Sequence, residues 1–171
     1  MKYILILSLL FTLNFGSFIQ LSSFEADFKQ TVTDDTSKKL TYSGHIQAKS
    51  PRYALWQYLQ PINKNIYVLS DKIIIIEPEI EQVIIKKLSL NFDFFTMINS
   101  ARKISKDKYT TNIDGIKYTI DVINNIVISI SYKDNFDNKV EILFSKQVQN
   151  KTISKNIFTP LIPKGYDIID E

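Results

Sequence analysis

A chain of 171 residues, 44% hydrophobic and 23% charged, can bury a real core, and only four glycines and five prolines exclude a disordered, low-complexity polymer. A net charge of +3 with no dense Lys/Arg cluster excludes the electrostatic footprint of a nucleic-acid binder. The absence of cysteine excludes disulfides, thiol catalysis and thiolate metal sites.

Lys2 is followed by an apolar run from Tyr3 to Phe11, and the small residues Gly16 and Ser17 come after it. This is the pattern of a secretory signal peptide, and the run is shorter than the about 20 apolar residues of a spanning helix. The expectation is a signal peptide over 1–18 and one soluble, exported domain over 19–171. A buried N-terminal core helix is the alternative.

Beyond it the sequence reads as strand after strand. Phe24, Ala26 and Phe28 alternate with Glu25, Asp27 and Lys29, which puts apolar and charged side chains on opposite faces. The polar stretch 34–39 turns the chain into Leu40–Ala48, again alternating. Strands follow at Tyr53–Tyr58, Asn65–Leu69, Ile73–Ile76 and Gln82–Lys86. Asp114-Gly115 joins Lys108–Ile113 to Ile116–Val122 in the manner of a type I′ hairpin. Asn124-Asn125 leads into Ile126–Tyr132, and 135–138 leads into Lys139–Gln147. Short strands at this spacing predict an antiparallel sandwich, or a barrel or half-barrel of eight to eleven strands.

One segment departs from period two. Between Leu88 and Arg102 the apolar residues Leu88, Phe92 and Phe95, with Phe94, Met97 and Ile98, fall at helical spacing. The spacing predicts a helix that serves as a core plug or as a lid over a cavity. Its first half also fits a strand.

Catalytic patterns are scarce. The one histidine, His45, falls on the polar face of its strand and reads as a solvated surface group. Without a second histidine or a cysteine, the triads left are of the Ser–Lys type. Glu77, Glu79 and Glu81 would share a face of a regular strand, a possible cation or acid–base site, but Pro78 interrupts it and points to solvated turn charges. No metal or cofactor is expected, and the chain does not read as an enzyme. What stands out is apolar surplus: Ile73–Ile76, Val83–Ile85 and the 88–98 segment exceed what one sheet face needs. Strands apolar on both faces are covered twice, and a ligand can be one of the covers.

The order of motifs resembles the periplasmic outer-membrane lipoprotein carrier family (LolA). Phe24-Glu-Ala26-Asp-Phe28-Lys-Gln30 is similar to its first-strand F-x-A-x-F-x-Q. Gly44-His-Ile46, Pro51 to Trp56 with Pro61, Val68 to Asp71, Pro78 to Val83 and the ending Phe158 to Asp170 follow in family order. The resemblance implies an unclosed antiparallel β-barrel, with helices forming a lid over a hydrophobic cavity that holds lipoprotein acyl chains. It further implies a monomeric periplasmic carrier, loaded by an inner-membrane ABC transporter and unloaded at an outer-membrane acceptor. Candidate cavity and lid residues are Leu55, Trp56, Phe92, Phe95, Met97 and Ile98. The family often places a lid-holding arginine directly before the proline; here that position is Ser50, and Arg52 is the candidate replacement as lid latch. Arg52 could instead point outward and solvate its strand. A generic lipid-binding barrel and an exported adhesin share the same composition and remain as alternatives.

Overall fold

The computed structural model describes residues 21–88 and 93–170. The signal-peptide region lies outside the described residues, as does Phe92. The described chain is built of twelve strands and one short helix. The strands are β1 (Ser23–Thr33), β2 (Lys39–Lys49), β3 (Tyr53–Gln60), β4 (Lys64–Val68), β5 (Lys72–Glu77), β6 (Gln82–Lys87), β7 (Arg102–Ser105), β8 (Lys108–Ile113), β9 (Ile116–Ile123), β10 (Ile126–Lys133), β11 (Lys139–Gln149) and β12 (Asp167–Asp170). The helix, α1, covers Phe94–Asn99.

All twelve strands belong to one sheet, ordered β12-β6-β5-β4-β3-β2-β1-β11-β10-β9-β8-β7. The end strands, β12 and β7, do not pair with each other, so the barrel is unclosed. Every ladder is antiparallel except β12–β6, which is parallel. The expected unclosed, mainly β architecture is present, with more strands than expected and one parallel pair.

Local chemistry accounts for the turns. Asp114-Gly115 and Asn124-Asn125 all take positive φ, a conformation Gly, Asn and Asp tolerate and the right-handed twist of a hairpin demands. Asp34 Oδ1 accepts the Lys38 backbone N–H at 2.9 Å, and Asp134 Oδ1 accepts those of Phe136 and Asn138 at 2.9 and 3.0 Å. Two hairpins are thus closed by the same carboxylate device.

The two faces are sorted by the period-two rule. Phe24, Ala26 and Phe28 of β1 are buried on the concave face, while Glu25, Asp27 and Lys29 point outward. A cross-strand row runs Ala26, Ile46, Trp56, Ile66, Ile75, Ile84, Ile169 from the centre of the sheet to its β12 edge. Facing residues of an antiparallel pair share a face, so this row makes one apolar band along the inside. Gly44 pairs with Phe28, and a Cβ there would come within 2.7 Å of the Phe28 ring. Only glycine leaves that ring room to lie across β2, where it meets Trp56 at 5.1 Å and Tyr58 at 5.0 Å between centroids.

Strands β3 to β6 are apolar outside as well, which accounts for the surplus. Leu55, Tyr67, Ile74 and Ile85 face one another on the outer face. The chain after β11 returns over them: Ile153 and Phe158 cover Leu55, and Tyr166 packs on the cluster of Ile74, Ile76 and Val83.

Candidate functional site

Two arms of the curved sheet and α1 enclose an apolar cavity of about 200 Å³. One arm contributes Ala54, Trp56 and Tyr58 of β3, Ile66 and Val68 of β4 and Ile73 of β5. The other contributes Tyr118, Ile130, Tyr132 and Ile142, and α1 covers the space with Phe94 and Met97. A larger outer groove, about 890 Å³, is open and floored by Thr31, Thr119 and Ser131 beside Lys39, Lys133 and Lys139. Most of its lining side chains are polar or charged, with Ile116 and Val140 the aliphatic exceptions, so the smaller and more uniformly apolar inner cavity is the candidate site.

The helix over the cavity is set by its cap. Asp93 is extended and its Oδ1 accepts the Thr96 backbone N–H at 2.8 Å, while Oδ2 accepts the Thr96 hydroxyl at 2.6 Å. A carboxylate at this position satisfies N–H groups that a helix start leaves orphaned. The expected helix over 88–102 is therefore corrected to six residues, Phe94–Asn99. Leu88 still donates its N–H to Asp71 at the end of β6, and Arg102 already pairs with Thr110 in β7. At the other end the Ser100 hydroxyl meets Thr111 Oγ1 at 2.8 Å, tying the helix terminus to β8.

The helix has two apolar faces with different neighbours. Phe94 and Met97 line the cavity, and the Phe94 ring sits 5.0 Å from Phe24 and 5.5 Å from Phe95. Phe95 and Ile98, at 2% and 0% exposure, are sealed in the core and do not line the cavity. Their expected place on its wall is corrected: three-to-four spacing puts 95 and 98 on a stripe next to that of 94 and 97. Leu55 is a second correction. It neighbours Trp56 in an extended strand, so it points the other way and packs outside with Ile153 and Phe158. Trp56 stands on the inside, half-buried in the cavity wall, 6.4 Å from the Phe144 ring.

Arg52 precedes β3 and reaches α1. Its Nε lies 3.5 Å from Asp93 Oδ2, and its Nη1 donates to the Ser70 carbonyl at 3.4 Å. Asp93 and the cavity residues Gln30, Tyr58, Tyr118 and Tyr132 are not among the site candidates of the sequence, where Phe94 enters only as part of the helical spacing. Asp93 alone carried a local signal, a capping carboxylate just before an apolar run.

The polar rim of the cavity is phenolic. Burial pushes the hydroxyls of Tyr58, Tyr132 and Tyr118 above the usual tyrosine value, that of Tyr118 to about 12. They remain protonated donors at neutral pH.

The other sequence candidates lie elsewhere. His45 is on the outer face as expected but is not simply solvated: Nδ1 lies 2.9 Å from Asp27 Oδ1 and Nε2 3.4 Å from Glu25 Oε1. Hydrogen bonds from Lys146 and then His45 hold the Asp27 carboxyl below its usual range. Glu77, Glu79 and Glu81 do not share a face. Glu77 ends β5, Glu79 sits in the 3-10 turn Pro78–Ile80 and accepts the Asn63 N–H, and Glu81 is left-handed.

Comparisons with known proteins agree with one another. The family model described as "Outer membrane lipoprotein carrier protein LolA" matches residues 19–115. An outer-membrane lipoprotein carrier protein of Campylobacter jejuni is 36% identical over 88% of this chain and 88% of its own length. One from Helicobacter pylori is 36% identical over 81% of this chain and 74% of its own. Among solved structures, an uncharacterized conserved protein from Thermus thermophilus shares the fold at TM-score 0.56 and 8% identity, covering 88% of this chain and 91% of the other. With more than half of its length matched by the family model and relatives above 30% identical along most of it, this chain belongs to the LolA family of outer-membrane lipoprotein carrier proteins.

Proposed function

We propose that the protein is a periplasmic carrier that shields the acyl chains of lipoproteins between the inner and outer membranes. The observation that carries the reading is the apolar cavity under α1, in a chain of this family. Each methylene moved from water into such a space contributes about 0.8 kcal/mol, so an acyl chain supplies its own driving force. At about 200 Å³ the cavity is smaller than the roughly 300–1,000 Å³ of sites that hold drug-sized ligands. Cargo therefore enters as α1 lifts and the arms part, with the half-buried Ile66, Ile73 and Ile75 extending the apolar wall toward the β6 side.

The Arg52–Asp93 pair is the latch in this reading. It joins the residue before β3 to the N-cap of the helix, where a small displacement opens the cavity. The work is binding and release, without bond-making, and the one histidine stands on the outer face away from the cavity. An inner-membrane ATP-driven transporter loads the carrier and an outer-membrane acceptor unloads it, the carrier acting as a monomer exported by the 1–18 segment. The test is depletion in the native cell followed by membrane fractionation. Lipoproteins destined for the outer membrane should accumulate in the inner membrane; normal sorting after depletion would overturn the reading.

A further inference from the structure

We propose that Gln30 is a carbonyl-recognising group of the cavity, donating its side-chain amide to the ester or amide carbonyl at the head of a bound acyl chain. The inference rests on the carrier reading and deepens it from hydrocarbon to acyl linkage. Gln30 follows Phe24, Ala26 and Phe28 at period two, so it shares their concave face, and it lines the cavity. It is the one carboxamide among those lining residues. Its side chain is held in one orientation: the Tyr58 hydroxyl donates to Gln30 Oε1 at 2.7 Å. With the oxygen engaged, the two N–H donors of Nε2 are directed away from it. Among the described residues Nε2 has no hydrogen-bond partner, and no sealed side-chain polar atom goes unpaired. The donor is therefore open to what enters the cavity.

Position along the strands gives the cavity a polar and an apolar end. Ala54, Val68 and Ile73 form one cross-strand row, and Trp56 and Ile66 the next. Tyr58 comes after these, opposite Gly44, and Gln30, paired with Tyr42 and Ile142, lies one row further toward the hairpins. Methylenes need no donor, whereas a carbonyl moved out of water loses its hydrogen bonds unless one is supplied. An acyl group placed with its carbonyl at Gln30 runs its first methylenes along Trp56 and Ile66 toward α1. Tyr58 is a positioning residue in this arrangement, and its burial keeps the phenol protonated.

The test compares monopalmitoylglycerol with its ether analogue hexadecylglycerol, equal in length and charge but without the carbonyl, by equilibrium dialysis below micellar concentration. The full-length carrier should bind the ester about three- to tenfold more tightly, the range of one neutral hydrogen bond. Gln30→Met, which keeps the length and removes the donor, should erase that preference, so that ester and ether bind alike. Tyr58→Phe should weaken the preference by releasing the amide, and it decides the matter should the Gln30 variant fail to fold. Equal binding of the two lipids by the unaltered protein, or a preference that survives both substitutions, overturns the carbonyl site while the carrier reading stands. Binding of neither lipid overturns both.

Discussion

Arg52 Nε stands 3.5 Å from Asp93 Oδ2, and the same carboxylate caps α1 through Thr96. One side chain thus starts the helix and ties it to β3. The Asp93 side chain is 1% exposed and that of Arg52 24%, so the pair is shielded on the helix side and reachable from solvent on the other. A shielded charge that loses its partner is left desolvated, which is why such pairs matter more when broken than when absent altogether.

Arg52→Leu should leave Asp93 bonded to Thr96 but unpaired. The expected loss is about 1–2 kcal/mol, below the figure for a fully buried pair because Thr96 still donates twice. The measurable sign is faster hydrogen exchange at Met97 and Ser100, whose N–H groups bond to Asp93 and Thr96 carbonyls. Cargo release should quicken in parallel. Unchanged exchange at those two amides would mean that α1 is a static plug held by its core face alone.

The core face of α1 and the β4 wall of the cavity predict a separation of stability from binding. Phe95→Ala removes a side chain that is 2% exposed and lies off the cavity, so it should lower unfolding free energy by about 3–5 kcal/mol. Ile66→Asn changes a half-buried cavity wall and should cost under about 2 kcal/mol of stability. It should nevertheless weaken acyl-chain binding, because it puts an amide where methylenes lie. Denaturant unfolding paired with Trp56 fluorescence titration reads both effects. A binding loss confined to the Phe95 variant would put Phe95, and not Ile66, against the cargo.

Much of this architecture is legible in the sequence because its causes are local. Alternation places Phe24, Ala26 and Phe28 inside, and Asp114-Gly115 and Asn124-Asn125 announce their hairpins through the positive φ they adopt. The same rule, applied strictly, says that Leu55 and Trp56 cannot share a face; hydropathy cannot say which of the two looks inward. That is decided by Ile153 and Phe158, about a hundred residues further along, which cover the Leu55 side. The helix that the spacing predicts overruns the observed one for a similar reason. Its apolar spacing runs on toward Arg102, but pairing with Thr110 draws that residue into β7. β12 carries no alternation in Asp167-Ile168-Ile169-Asp170 and exists because β6 offers it an edge. The Arg52–Asp93 contact joins residues 41 positions apart and leaves no local trace.

The phenols around the cavity predict an alkaline limit. Tyr118 titrates at about 12 when folded, raised first by burial and then by Tyr132 and Asp114, against an ordinary value of 10.0. Tyr58 and Tyr132 are raised too, again chiefly by burial. Between pH 10 and about 12 the unfolded chain sheds these protons while the folded one keeps them, so stability falls as pH rises. Below pH 10 their contribution is fully present. Tyrosinate absorbance should show a group of late-titrating phenols that ionise together with unfolding, and a titration in which all nine tyrosines ionise at their ordinary value while the fold persists would contradict the buried arrangement.

The last prediction concerns the layer outside the sheet. Phe158 is 3% exposed, packs with Leu55 and Ile153, and lies 5.7 Å from the Tyr53 ring. It reaches that place through the 3-10 turn Lys155–Phe158, whose Ser154 cap accepts the Asn156 N–H. Because β3 is apolar on both faces, the inner face serves the cavity only while the outer one is kept from water. Phe158→Ala should cost about 3 kcal/mol, the low end for such a deletion, since a peripheral segment can settle into part of the space. The segment after β11 should then become more susceptible to proteolysis, and an environment-sensitive apolar dye should bind the uncovered Leu55 surface. Acyl-chain affinity should change little, because Leu55 and Trp56 point to opposite sides of the same strand. A variant that keeps its stability but loses lipid binding would show instead that the outer layer sets the shape of the cavity through β3.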